Sequence, residues 1–424
     1  MRKLFEKDAN AVGIILLIGA FDNGRYRFRQ DSSFYYFSGI TEPGSILIID
    51  LCSQKTTLFI PQFEANRNQW VGKSIACSKE MAVALDIDCI EYLGKPYAGY
   101  TLVPNFCVDT YENVQKKIEA CVNNKQTVYT LSYTDQGDVE KKYFCEKLLQ
   151  NGSNVYRKDI LDIVYDLRRS KEHIEIEHLF RAVKITEVAH EAAAKTIQPQ
   201  AREQDVHAVI DYVFTSSGSH AAFPSIVASG KRATVLHYTE NNNEINKGDL
   251  VIVDIGAEYN GYCADITRTY PASGKFTTRQ RELYTLVLEV QEYIASIVKP
   301  GYWISNKEFP DQSLHHLAQN FLRKKGGYDK YFIHSIGHFL GLEVHDVGNS
   351  KKPLQEGDVI TIEPGIYIPD ENIGIRIEDN FWIIKDGSIC LSEDLPRHPD
   401  AIEKMVTQTF ILEDGEVSSN LKER

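Results

Sequence analysis

Four carboxylates in this chain sit within or at the end of apolar runs, where an uncompensated charge is costly. Asp254 lies in Leu250-Val251-Ile252-Val253-Asp254-Ile255, and Asp265 follows it in the same segment. Glu363 ends Val359-Ile360-Thr361-Ile362, and Glu378 follows Ile373-Gly374-Ile375-Arg376-Ile377. A buried carboxylate needs a cation, a metal ion or a proton beside it. Taken singly, each has a plainer reading: a strand aspartate facing solvent, or an Arg376–Glu378 ion pair on a sheet surface. Taken together, four such groups point to two divalent cations, because one would leave much of the negative charge uncompensated.

The dipeptide Asn260-Gly261, between two strand-like runs, is the signature of a two-residue type I′ hairpin turn. With those two residues as the loop, Tyr259 pairs with Tyr262, Asp254 falls opposite Thr267, and Asp265 falls opposite Gly256. Asp254 and Asp265 are then diagonal neighbours on one face, about 7 to 8 Å apart before their side chains converge. Gly256 is expected to leave the space beside them open. Cys263 shares that face with Asp265 by period two and is read as a packing residue.

A further ligand is expected from the stretch His334–Asp346, which carries His334, His338 and His345 between Gly337 and Gly341. A lone histidine in an apolar stretch is usually a hydrogen-bonded core residue, but three so close together favour a site. His237 follows a Gly230-Lys231-Arg232 turn and is a fourth candidate. His315 and His316 lie side by side on an expected helix, with one or both facing solvent.

These groups need a framework to position them. With 424 residues the natural expectation is two domains. In the first, Gly13–Ile18 reads as a buried strand, and Ser45–Leu51 with Thr56–Pro61 as two strands around Cys52–Lys55. After about Val155 a charged amphipathic run, 160–197, reads as a linker helix plus the first helix of a second domain, placing the boundary near 160. Beyond it, two further helices are expected at Thr277–Val298 and Gln312–Lys325. Strands are expected at Leu250–Ile255, Tyr262–Tyr270, Val359–Glu363, Ile373–Glu378 and Phe381–Ile384.

Composition excludes several classes of function. Hydrophobic residues make up 43% and charged residues 25%, as in ordinary globular chains. A net charge of -12 opposes binding to nucleic acid or anionic lipid, so neither is expected as a partner. The eight cysteines form no Cys-x-x-Cys pair, which fits a reducing compartment and leads to an expected cytoplasmic location. The apolar run Ala11–Ala20 is too short to span a bilayer and reads as the first strand.

The segments FRQDSSFYYFSGITEPG (Phe28–Gly44), LHYTEN, VDIGAEYNGYCADITRTYP, GHFLGLEVHD, EPGIY and GIRIED carry a family resemblance. In these fragments, and in their order, the sequence resembles the pita-bread metallopeptidases, and within them the aminopeptidase P and prolidase branch. The resemblance implies an α+β chain: a pita-bread (creatinase/aminopeptidase) catalytic domain over 161–424, preceded by a smaller α/β N-terminal domain over 1–160. That first domain would help form an oligomer contact and narrow the entrance. By the same resemblance Asp254 belongs to one metal, His338 and Glu363 to the other, and Asp265 and Glu378 bridge the pair. Manganese is the family's usual metal, and an imidazole ligand also accepts zinc or cobalt.

The activity so implied is an exopeptidase that releases the N-terminal residue from peptides with proline in second position, as a homodimer or homotetramer. A hydroxide bridging the two ions would attack the scissile carbonyl, with Glu363 carrying the proton. His237 and His345 resemble the groups that stabilise the oxyanion, and His334 resembles a histidine lining the substrate pocket. Arg376 and Tyr367 resemble residues that orient a metal-bound carboxylate. The phrases LHYTEN and KYFIHSIGH and the short Tyr367–Gly374 connection favour aminopeptidase P over prolidase, which cuts only dipeptides ending in proline. A ligand-free binding module and a metal-free hydrolase of the same fold are the remaining alternatives, and retention of every ligand position opposes both.

Overall fold

The run Gly13–Ile18 forms strand β1, and all of it is buried because it has strand neighbours on both sides. The computed structural model describes residues 1–64, 67–72, 74–132, 139–150, 155–349 and 351–407. The chain divides into two compact units, Met1–Arg168 and Arg169–Arg424. The division falls near the end of helix Leu161–Arg169 rather than before it. Ile160 and Val164 explain this, since they belong to the hydrophobic core of the first unit.

The first unit is built on six strands: β1, β2 (Ile46–Asp50), β3 (Lys55–Ile60), β4 (Cys89–Tyr92), β5 (Thr127–Thr130) and β6 (Arg157–Asp159). Their order in the sheet is β4-β3-β2-β1-β5-β6. β1, β2 and β3 pair antiparallel, while β5 and β6 extend the sheet parallel to β1. A continuous apolar strand covered on both faces is what such a central position requires.

The second unit holds β7 (His220–Ala221), β8 (Ile226–Ser229), β9 (Leu250–Ile255), β10 (Ala257–Tyr259), β11 (Tyr262–Cys263) and β12 (Ile266–Pro271). It continues with β13 (Val359–Ile362), β14 (Gly365–Ile368), β15 (Ile373–Arg376), β16 (Asp379–Ile384) and β17 (Gly387–Cys390). Two three-stranded sheets, β12-β9-β8 and β13-β16-β17, are linked by a bridge between Thr267 and Glu378, and β14 and β15 form a separate antiparallel hairpin. Their apolar faces share one core with helices His173–Thr196, Glu203–Ser216, Thr278–Ile297, Leu314–Lys324 and Pro399–Thr407.

The expected hairpin is present. Asn260 and Gly261 both take positive φ, 49° and 83°, as a type I′ turn demands. Tyr259 pairs with Tyr262 and Asp254 with Thr267. The expected single strand Tyr262–Tyr270 is broken at Ala264-Asp265, and Gly256 does not leave an opening. A Cβ there would lie 1.8 Å from the Ala264 carbonyl oxygen, so the glycine admits a close backbone approach.

The amphipathic run 160–197 forms the expected linker helix, Leu161–Arg169, and first helix of the second unit, His173–Thr196, parted at Ser170–Glu172, where Glu172 and Glu175 form a capping box that starts the longer one. Two other expectations are corrected. The second unit has two helices beyond those anticipated, Glu203–Ser216 and Pro399–Thr407. Val206, Ile210, Val213 and Phe214 bury one face of the first at helical spacing. His315 and His316 are half-buried rather than turned to solvent. The His315 ring packs on Phe332 at 5.3 Å, and His316 Nδ1 lies 2.7 Å from the Ser313 hydroxyl.

Candidate metal centre

Two strand pairings bring the acidic residues to one place. Asp254 sits on β9 opposite Thr267 of β12, and Thr267 bridges in turn to Glu378 at the mouth of β16. Asp265 immediately precedes β12, where its backbone N–H donates to Asn380 Oδ1 at 3.2 Å. On the other side, the segment carrying His338 runs antiparallel to β13. The Thr361 and Glu363 N–H groups donate to the carbonyls of His338 and Ile336, both at 2.9 Å. Glu363, at the end of β13, is thereby set beside His338.

All five expected ligands line one cavity of about 470 Å³, with His237, His334, His345 and Arg376. Tyr367 stands behind them, its hydroxyl bonded to His334 and Arg376. Ligand atoms of Asp265, His338 and Glu378 all lie within 4.8 Å of one another. His338 Nε2 is 3.3 Å from Asp265 Oδ2 and 3.6 Å from Glu363 Oε1. Cys263 is not part of this wall. Its thiol lies 3.8 Å from the Leu342 carbonyl, in keeping with a packing role.

The proton on His338 can be placed. Nδ1 lies 3.0 Å from the Phe339 carbonyl oxygen, which only accepts, so Nδ1 carries the hydrogen. The ring's Nε2 is left to face the carboxylates of Asp265 and Glu363. An imidazole nitrogen and two carboxylates converging on one point form a candidate cation site. Asp254 adds to it, because its Oδ1 is buried with no hydrogen-bond partner while Oδ2 accepts from Arg376 Nη2 at 2.6 Å.

The electrostatics point the same way. Burial pushes the Asp265 carboxyl well above its usual range, and Asp254 and Glu363 push it further. Burial does the same to Glu378, with Asp265 and Glu363 adding to it. Glu363 is also raised by burial, an effect that His338 and Arg376 oppose. Burial alone would depress Arg376, but Tyr367, Asp254 and Glu378 hold it charged. One guanidinium faces four carboxylates, and divalent cations would supply the remaining compensation.

The surrounding histidines fall into two kinds. His334 is fully committed: Nδ1 donates to the Ser335 carbonyl at 2.8 Å and Nε2 lies 2.9 Å from the Tyr367 hydroxyl. Arg376 Nη1 donates to that same hydroxyl at 2.8 Å, so the phenol proton goes to His334. Burial, then Arg376, lowers His334 to about 3, and burial raises Tyr367 to about 12, so both are neutral. His345, by contrast, faces the cavity edge-on to His338 with ring centroids 4.3 Å apart. Burial, then His338 and His237, lowers its pKa.

Three contributors were missed in the sequence. Thr267 donates to Glu378, and Thr361 donates to Glu363 Oε1 at 3.3 Å. The hairpin register already placed Thr267 opposite Asp254, so that signal was available. Phe223, Pro224, Ile226, Leu236 and Val344 form the apolar wall, and no spacing in the sequence marks them as neighbours of the carboxylates.

Comparison with known proteins now bears on this geometry. Residues 177–385 match metallopeptidase family M24, and residues 20–95 match the aminopeptidase P N-terminal domain. An Xaa-Pro aminopeptidase of Escherichia coli is 31% identical, over 91% of this chain and 90% of the relative. The chain belongs to the aminopeptidase P branch of metallopeptidase family M24. Its fold agrees: proline aminopeptidase P II from Yersinia pestis superposes with a TM-score of 0.79 at 28% identity, covering 96% of this chain and 98% of the other. An Xaa-Pro dipeptidase of Pyrococcus furiosus is 41% identical over a shorter stretch, 56% of this chain and 66% of the relative. As a member of the aminopeptidase P branch, this protein is a metal-dependent exopeptidase.

Proposed function

We propose that this M24 enzyme releases the N-terminal residue from peptides with proline in second position, using two divalent cations. Asp254, Asp265, His338, Glu363 and Glu378 would hold them, with Asp265 and Glu378 shared. The observation that carries the reading is the convergence of His338 Nε2 with the carboxylates of Asp265, Glu363 and Glu378. Four oxygen-bearing residues and one imidazole suit manganese, and would also accept zinc or cobalt.

When bound, such a pair of ions polarises the scissile carbonyl and makes a water available as nucleophile near neutral pH. The side chains do the rest. Glu363, kept protonatable by burial and steadied by Thr361, takes the proton of the attacking water and returns it to the departing proline nitrogen. The amide nitrogen of proline leaves badly without that proton. His345 and His237 face the cavity and can donate to the oxyanion that develops. His334 has both ring nitrogens committed to Ser335 and Tyr367, so it shapes the pocket and transfers no proton. Arg376, through Asp254, Thr267 and Tyr367, fixes the ligands from behind. The apolar wall of Phe223, Ile226 and Leu236 suits the hydrocarbon faces of a peptide.

A prolidase is the second reading, favoured by the identity of the catalytic half to the Pyrococcus furiosus dipeptidase. Hydrolysis of Gly-Pro and Arg-Pro-Pro side by side separates them: release of arginine from the tripeptide supports the aminopeptidase, and cleavage of the dipeptide alone supports the prolidase. We further propose a homodimer or homotetramer, which the family resemblance supports, and a cytoplasmic location. Eight free cysteines support a reducing compartment. Among the described residues no helix is long and apolar enough to cross a membrane.

A further inference from the structure

Glu203 has no exposed surface, yet among the described residues no cation pairs with its carboxylate. Neutral donors satisfy it. Oε1 accepts from the Ser229 N–H at 2.8 Å and the Ser229 hydroxyl at 2.7 Å. Oε2 accepts from the Tyr238 hydroxyl at 2.7 Å and the Asn243 N–H at 3.0 Å. The bonds that satisfy a buried carboxylate hold the segments carrying the donors in one arrangement.

What they fix is one wall of the cavity. Ser229 ends β8, whose Ile226 lines the cavity and pairs with Asp254 on β9. Tyr238 lies between His237 and Thr239, and both of those line the cavity. The next turn is tied down as well: Asn241, at a left-handed φ of 46°, accepts from the Val227 N–H at 2.9 Å and donates to the Ser225 carbonyl at 2.8 Å. The backbone beside His237 is anchored on its C-terminal side by the Tyr238 hydroxyl bond to Glu203.

We infer that Glu203 is a positioning residue for His237, acting through the Tyr238 hydroxyl to hold that imidazole where the oxyanion develops. The inference rests on the role given to His237 above. A double-mutant cycle tests it with Xaa-Pro peptide hydrolysis by the metal-loaded enzyme. Tyr238→Phe removes one hydroxyl, leaves the ring in place, and is the variant that keeps the test alive if Glu203→Gln does not fold.

His237→Ala lowers kcat by about 10²-fold if it stabilises the oxyanion. Tyr238→Phe and Glu203→Gln lower kcat by roughly 3- to 30-fold with KM changed less, as expected when a transition-state interaction is lost. Added to His237→Ala, each costs less than about twofold more, while thermal unfolding shifts equally in both backgrounds. Equal rate losses in both backgrounds, or wild-type kcat for Tyr238→Phe, overturn the inference. A His237→Ala enzyme as fast as wild type removes the role of His237 itself, and the single variant alone reveals that.

Discussion

The Thr267 hydroxyl donates to Glu378 Oε2 at 2.6 Å while its oxygen accepts from Arg376 Nε at 3.1 Å. A guanidinium only donates, so Arg376 occupies one side of the hydroxyl and leaves its own proton for Glu378. The carboxylate proposed to be shared by two cations is thus aimed by Thr267, which is not among the proposed ligands. Thr267→Val keeps the shape and removes this bond. Metal affinity should fall by about 10- to 100-fold with the circular dichroism spectrum unchanged, as read by calorimetric titration of the metal-stripped protein. An unaltered affinity would show that Glu378 is oriented without Thr267.

Glu363→Ala should lower kcat by roughly 10²- to 10⁴-fold, the usual contribution of a positioned proton carrier. Removing this proposed ligand would also weaken metal binding, so the rate is to be read at saturating metal. Near-normal turnover there would place the proton on another group.

Much of the site is legible before the fold is known, because chemistry and register are both written locally. Asn260-Gly261 sets the pairing that puts Asp254 across from Thr267, and the apolar residues around Asp254, Glu363 and Glu378 announce carboxylates that need a cation. What joins the two halves is not local. Thr267 meets Glu378 across more than a hundred residues of sequence, through a bridge that no periodicity encodes. Gly256 shows the same limit: it reads as open space beside the aspartates, whereas the Ala264 carbonyl fills that space. The helix Glu203–Ser216 was readable from Val206, Ile210, Val213 and Phe214, whereas the Glu203 contacts that make it matter to the cavity were not.

Arg268 is wholly buried and donates to Asp379 Oδ1 at 2.7 Å and to the carbonyls of Thr267 and Glu378 at 2.9 and 2.8 Å. It clamps the two sheets just behind the ligands. Arg268→Ala leaves Asp379 with only the longer Arg397 ion pair, at 3.4 Å, as a guanidinium partner, and should cost roughly 3–5 kcal/mol in urea unfolding. A shift below about 1 kcal/mol would mean that the Arg397, Gln291 and Ser392 bonds to Asp379 suffice on their own.

His190 links stability to acid. Its Nε2 lies 3.0 Å from the Ile266 carbonyl and must donate, so Nδ1 accepts from the Tyr270 hydroxyl at 3.1 Å. Burial, then Arg268, lowers its pKa from 6.5 to about 3. The folded state refuses a proton that the unfolded chain accepts. Its contribution is therefore complete above pH 6.5 and is lost as the pH falls toward 3, by up to about 1.4 kcal/mol per pH unit. His190→Gln should be less stable at pH 7 by about 1–2 kcal/mol yet decline less steeply, so its curve approaches that of wild type on acidification. Parallel curves would show that His190 is protonated without penalty.

The pairing of cations is tested most directly by counting them. Manganese loaded into the metal-stripped protein, dialysed and quantified by elemental analysis, should reach two ions per chain in wild type and fall by at least one in Asp265→Ala and Glu378→Ala. Wild-type protein that retains one ion or none, or variants that retain as much as wild type, would contradict a paired metal centre built from these carboxylates and His338.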